Sequence, residues 1–198
     1  MRVTGVIQAG GKSTRMGGRP KALMELGGRR IVERVVAAVA PVVDGLLIVT
    51  NTPELYAFLR LPMVPDAYAD GGSLGGIFTG LKAAPGDAAF TVACDMPFVH
   101  PDLVRFVVSR AAEGDVVIPR VGDQLETMHA VHGKACLAPM EERLRAGRLK
   151  IVGFFDSVRV VEIPAGEMAA HGDPAVLFMN VNTPEELARA RALVGEDA

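Results

Sequence analysis

The chain has 198 residues, 49% of them hydrophobic and 22% charged, enough for one ordinary domain with a real core and far from the composition of a disordered segment. Twenty-one Lys and Arg against twenty-three Asp and Glu give a formal net charge of −2, which excludes binding of nucleic acid or an anionic membrane by bulk charge. The sum hides an asymmetry: residues 1–30 hold seven cations against Glu25 alone, so this stretch carries +6 and the remainder −8.

In chain order the pattern predicts a strand at 3–7, a helix at 31–40, a strand at 46–50, a helix at 53–59, a strand near 61–64, a helix at 74–83 and a strand at 88–93. A helix at 101–112, strands at 116–119 and 127–131, and helices at 136–146 and 150–155 come next. The chain closes with strands at 158–163 and 177–180 and a helix at 184–194, residues 164–174 reading as a mobile surface loop. Pro53, Pro101 and Pro184 sit where a first helical turn accepts proline, and Glu185 and Glu186 lie at the positive end of the last helix. Strands that are apolar throughout and alternate with helices predict a single α/β domain, a doubly wound, mostly parallel sheet flanked by helices. Cys94 and Cys136 lack disulfide or zinc spacing, which points to a reducing cytoplasm. No signal-peptide pattern or spanning-length apolar run is present, since 31–43 is interrupted by Glu33, Arg34 and Pro41. Neither secretion nor membrane insertion is expected.

A doubly wound sheet binds ligands beyond the carboxyl ends of its strands, so the residues just past each strand are the ones to weigh for function. The first strand runs into Gln8, Ala9, Gly10, Gly11 and Lys12, with Arg15, Arg19 and Lys21 close behind. Adjacent glycines let a backbone approach a ligand and turn N–H groups toward an anion, and the cations add charge. The loop is of phosphate-binding type, but neither the P-loop spacing nor GxGxxG fits it. Asp95 comes after the 88–93 strand and precedes Met96 and Pro97; it suits Mg²⁺, which takes one or two carboxylates plus phosphates and water, or else caps the next helix.

Ordered motifs now converge. The run from Ala9 to Gly17 with Lys21, then Val64-Pro65-Asp66 with Gly71 to Gly76, then Ala93-Cys94-Asp95-Met96-Pro97, and finally Asn180-Val181-Asn182-Thr183-Pro184-Glu185-Glu186-Leu187 together resemble the molybdenum cofactor guanylyltransferases, the MobA family. The resemblance implies a Rossmann-like nucleotidyltransferase fold, about 1–100 forming a nucleotide half and 101–198 a pterin half. It implies that the backbone of Gln8, Ala9, Gly10 and Gly11 wraps the triphosphate of GTP, with Arg15 and Lys21 as charge partners and Asp95 as nucleotide contact and Mg²⁺ ligand. Gln8 stands where the family usually has Leu, a departure expected to be tolerated because the backbone is what the ligand uses.

Asp66 resembles the family's residue beside guanine, whose N1–H and exocyclic amine a carboxylate can accept; its other reading is a turn residue. Asn51, in Thr50-Asn51-Thr52, is either the base-reading Asn displaced by one position or the cap of a helix at Pro53. Asn180 and Asn182 are expected either to bind the pterin phosphate or metal-bound water or, in the case of Asn182, to cap the last helix. Thr127, His129, Arg148 and Lys150 match where family members handle the pterin and its phosphate, although a lone His near a strand is also a common structural donor. The implied reaction is transfer of GMP from GTP to the phosphate of Mo-molybdopterin with release of pyrophosphate, in company with cofactor-inserting and cofactor-accepting proteins. A cytidylyltransferase or related NTP transferase is the nearest alternative, Gly10 favouring GTP over the Ala of the cytidylyl branch. A non-catalytic nucleotide or pterin carrier is the alternative from another class.

Overall fold

β1 (Val3–Gln8) is buried until its last residue, as a strand covered on both faces requires. We describe a computed structural model of the chain, covering residues 1–10, 20–68 and 70–195. Gly11 and Arg15, both expected at the phosphate loop, lie outside the described residues. A 3₁₀ turn at Lys21–Leu23 and a small hairpin, β2 (Glu25–Leu26) and β3 (Arg29–Arg30), lead into α1 (Ile31–Val39). Then come β4 (Gly45–Val49), β5 (Met63–Val64), α2 (Gly72–Ala83), β6 (Ala88–Ala93) and α3 (Pro101–Ser109). The second half holds β7 (Val116–Val121), β8 (Gln124–Leu125), β9 (His129–Gly133), α4 (Leu137–Arg145) and a 3₁₀ segment, Ile151–Ser157. It closes with β10 (Val160–Pro164), α5 (Ala165–Met168), α6 (Pro174–Leu177) and α7 (Pro184–Leu193).

The sheet order is β10-β7-β9-β6-β1-β4-β5, with β8 paired to β7. β1 is parallel to both β4 and β6, and β9 is antiparallel to β6 and β7. The mostly parallel sheet is therefore the expected one, with one reversed strand inside it. Val32, Val35 and Val39 of α1 and Leu103, Val104 and Val107 of α3 form one apolar layer with Ile7, Ile48 and Phe90. Leu74, Ile77 and Leu81 of α2 and Met140 and Leu144 of α4 form the opposite layer with Val6, Leu47 and Ala89. α2 approaches the sheet tightly at Gly80, where a Cβ would fall 2.2 Å from Val6 Cγ1. Met140 and Met179 are core residues, as read from their apolar surroundings.

Four expectations are corrected. Residues 53–59 are two 3₁₀ turns, Pro53–Leu55 and Ala57–Leu59, ended by Arg60 at φ 53°. No strand occupies 177–180: Leu177 ends α6, and Met179 and Val181 pack with Leu26, Ile31, Leu187 and Ala190 in a separate small cluster. Three apolar residues followed by Asn180 fit such a buried coil as well as a strand. The 127–131 strand begins only at His129. The 164–174 stretch is not one surface loop, because α5 and a 3₁₀ turn at Ala169–His171 order it and Met168 is fully buried.

The chain leaves β1 for β4 and β5 on one side and returns to β6 on the other. The crevice at the carboxyl ends of β1 and β6 is the switch point where such sheets take ligands.

Candidate active site

Three backbone bonds fix the strand ends at this crevice. Ala9 N donates to Val49 O at 2.9 Å, Cys94 N to Gln8 O at 3.0 Å, and Val181 N to Asp95 O at 2.9 Å. Residues just past β1, β4 and β6 are thus held in one row, and the coil before α7 is held against them.

On the β6 side lie Asp95, Lys21 and Asn182. Asp95 does not cap a helix, since His100 caps α3 by accepting from Asp102 N. Burial raises the pKa of the Asp95 carboxyl, its own backbone N–H and Lys21 oppose that rise, and the Glu186 carboxylate adds to it. Lys21 Nζ donates to Asn182 Oδ1 at 2.9 Å. Asn182 has no capping duty, because Thr183 is the cap of α7 and forms a reciprocal box with Glu186. Asn180 lies nearby in sequence but spends its amide on Phe178 O at 3.3 Å.

On the β4 and β5 side a cleft of about 220 Å³ is lined by Gln8, Gly10, Asn51, Asp66, Ser73 and Gly76. Asn51 Oδ1 accepts from Asp66 N at 2.9 Å, so the two residues are held together, and the Asn51 amide nitrogen has no hydrogen bond among the described residues. One Asp66 oxygen, Oδ1, accepts from Tyr68 N and from Thr79 Oγ1, both at 3.0 Å, while Thr79 Oγ1 accepts from Ala67 N at 3.0 Å. The second oxygen, Oδ2, has no hydrogen bond within the described residues and is the one available to a ligand. Asp66 thus organises its own turn and also lines the cleft. The Gln8 side chain also lines the cleft, donating from Nε2 to Ser73 O at 3.3 Å. Position 8 therefore presents more than its backbone.

A second, open cleft of about 340 Å³ is lined by Ser73, Thr127, Leu149, Lys150, Ile151 and Val152. Ser73 belongs to both clefts, so Thr127 and Lys150 stand beside the first one. His129 does not join them: it is fully buried, with its ring 5.0 Å from that of Phe90 and 5.2 Å from that of Phe178. Burial holds its pKa down at about 3, so it is a neutral core residue and its side chain faces no cleft. Arg148 is also separated from Lys150, lining a third pocket with Arg143.

Ser73, Thr79 and the apolar wall of Leu149, Ile151 and Val152 were not singled out from sequence. Ser73 lies inside the quoted glycine-rich motif, which is the signal that could have found it. Thr79 gives none. Among the described residues no group of three or more His, Cys, Asp or Glu could hold a metal, and no helix is long and apolar enough to cross a membrane.

Comparison with known proteins agrees with this geometry. Residues 5–158 match the MobA-like NTP transferase domain. A probable molybdenum cofactor guanylyltransferase of Pelotomaculum thermopropionicum is 39% identical over 193 residues, 98% of this chain and 94% of the relative. The molybdenum cofactor guanylyltransferase of Desulfosudis oleivorans is 37% identical, covering 97% of this chain and 96% of the relative. Among solved structures, molybdopterin-guanine dinucleotide biosynthesis protein A of Archaeoglobus fulgidus superposes with a TM-score of 0.85 at 23% identity, covering 98% of this chain and all of the other. That likeness carries the fold.

Proposed function

The chain belongs to the MobA-like NTP transferase family, and we propose that it transfers GMP from GTP to the phosphate of Mo-molybdopterin. The observation that carries this reading is the pair of clefts meeting at Ser73. One offers nucleotide-type polar groups at the strand ends, and the other offers Thr127, Lys150 and an apolar wall suited to a flat heterocycle with an anionic tail.

In the proposed reaction a terminal oxygen of the pterin phosphate attacks the α-phosphorus in line. A new P–O bond forms, the bond from the α-phosphorus to the bridging oxygen of the β-phosphate breaks, and pyrophosphate leaves with that electron pair. The nucleophile is already anionic, so no side chain has to remove a proton. Asn51 and the Oδ2 of Asp66 would read the guanine edge, an acceptor facing N1–H and the exocyclic amine. The backbone from Gln8 to Gly11 would meet the phosphates, with Arg15 joining from outside the described residues. Lys21 would leave Asn182 for the transferring phosphate. Fixed positive charge is worth most in such a cleft: a unit pair at about 4 Å gains roughly 4 kcal/mol at an effective dielectric of 20, against about 1 kcal/mol in water.

Mg²⁺ would suit the Asp95 position, since a half-buried carboxylate that joins no group of three or more His, Cys, Asp or Glu among the described residues fits a hard cation that completes its shell with phosphate and water. Bound there it would neutralise charge on the phosphates. Cytoplasmic location and exchange with cofactor-inserting and cofactor-accepting proteins follow from this reading.

A nucleotide panel tests it. With Mg²⁺ and a molybdopterin-bearing acceptor, pyrophosphate should appear with GTP and not with ATP or CTP. Release with CTP alone overturns the guanine assignment, and binding without release at any nucleotide makes the protein a carrier.

A further inference from the structure

Arg143 lies on α4 with its Nε buried and without a hydrogen-bond partner among the described residues. No acidic group pairs with its guanidinium there either. The guanidinium rests on Gly153, where a Cβ would fall 2.2 Å from Nη2 and 2.3 Å from Cζ. Glycine at that position is what lets the charged group lie flat against the 3₁₀ segment. The backbone brings a second arginine alongside: Arg148 N donates to Arg143 O at 2.9 Å, after Gly147 turns the chain at φ +65°.

Arg143, Arg148, Ser157 and Glu142 line a pocket of about 120 Å³ between α4 and the 151–157 segment. The other side of that segment presents Ile151 and Val152 to the open cleft beside Ser73. The pocket is therefore separate from the transfer site. A partly buried guanidinium with no partner is an uncompensated charge and costs stability unless a ligand meets it. Two guanidinium forks and a hydroxyl are the donor set that recognises an oxyanion.

Glu142 narrows the ligand further. Its carboxylate adds an acceptor to the lining, which a carboxylate or sulfate ligand repels, whereas a phosphate monoanion can donate its P–OH to it. We propose that this pocket is an oxyanion site for a phosphate group, distinct from the site of nucleotidyl transfer. Arg143 and Arg148 bind the charged oxygens, Ser157 donates to a third, and the Glu142 carboxylate accepts a hydrogen bond from the P–OH.

Side-chain ¹⁵N NMR of the arginines tests this on the full chain. Inorganic phosphate should shift the Arg143 Nε–H signal and slow its exchange, and the shift should persist in Lys21→Met, which disables the transfer site. In Arg148→Gln the midpoint of the titration should move up by about tenfold or more, with an unchanged thermal unfolding midpoint showing that the fold is intact. An alkyl phosphate monoester titrated in parallel separates the two sources. A midpoint tighter than that of inorganic phosphate assigns the site to a phosphate carried on a larger molecule, and a weaker one assigns it to the free ion. Sulfate should bind more weakly than phosphate, and Glu142→Gln should erase that preference. No Arg143 shift with either phosphate compound overturns the site, as does a shift that vanishes in Lys21→Met. Equal binding of sulfate overturns the phosphate assignment.

Discussion

Lys21 Nζ and Asn182 Oδ1 meet at 2.9 Å across 161 residues of chain, joining the segment after the glycine-rich loop to the coil that enters α7. The contact closes the β6 side of the crevice above Asp95. Val181 N, one residue before Asn182, already holds Asp95 O. The lysine is thus stored next to the carboxylate, on a neutral acceptor that it can leave when a more strongly charged one arrives.

That arrangement separates binding from structure in a pair of variants. Asn182→Ala should lower stability by about 1 kcal/mol, the usual net worth of one hydrogen bond, and leave Lys21 free. Lys21→Met should lower turnover by about 10² to 10³, the range for losing one charge-stabilising donor in a transition state, with a far smaller stability change. Urea unfolding alongside pyrophosphate release distinguishes the two. A Lys21→Met enzyme with wild-type turnover would remove the lysine from the chemistry.

Asp95→Asn makes a second separation. The carboxylate is held against its preference, burial raising its pKa, so a neutral amide of the same size should be tolerated or slightly stabilising. Turnover should nevertheless fall by at least about 10² if the charge holds Mg²⁺, and added Mn²⁺ should restore little of it. Unaltered activity would show that the metal is held elsewhere.

Two signals made part of the cleft lining legible in the sequence: the rule that ligands gather where parallel strands end, which pointed to the glycine-rich segment from Gln8 and to Asp95, and the family resemblance, which pointed to Asn51 and Asp66; Gln8, Gly10, Asn51 and Asp66 line the first cleft. Neither signal could choose among residues with two chemistries. Asn182 and Thr183 are both good caps, and only the structure assigns the cap to Thr183 and releases Asn182. His129 was misplaced because alternation along a strand covered on both faces does not tell which side meets a cleft and which meets Phe90 and Phe178. Arg148 and Lys150 are two residues apart, yet they line different pockets. Thr79 was invisible because a hydroxyl inside a helix is ordinary until its partner, Asp66, is placed above it.

Gly76 and Gln8 define a close contact in the cleft proposed for the nucleotide. A Cβ at position 76 would fall 2.6 Å from Gln8 Oε1, nearer than unbonded atoms tolerate, so Gly76→Ala should push the Gln8 amide off Ser73 O and into the cleft. The Michaelis constant for GTP should rise several-fold while α2 remains folded. Because the obstacle is a side chain, Gly76→Ala with Gln8→Ala should recover most of the loss. If the double variant is as impaired as the single one, the clash lies in the backbone and Gln8 is a bystander.

His129 and His132 make the fold sensitive to acid. Burial holds their pKa values at about 3 and about 4, against 6.5 for an ordinary imidazole, and three of their four ring nitrogens have no hydrogen-bond partner among the described residues. The folded state therefore keeps both rings neutral while the unfolded chain binds a proton at each once the pH falls below about 6.5. Stability contributed by the neutral rings is complete above that pH and is lost progressively below it, down to the folded-state values. Two rings should together remove about 2 kcal/mol between about pH 6.5 and about pH 5.5. His129→Phe places a third aromatic ring between Phe90 and Phe178, removes two orphaned nitrogens and should halve that dependence, provided the ring fits. Urea unfolding at the two pH values measures the difference directly. A slope unchanged in His129→Phe would mean that His129 is already paired or protonated in the folded protein.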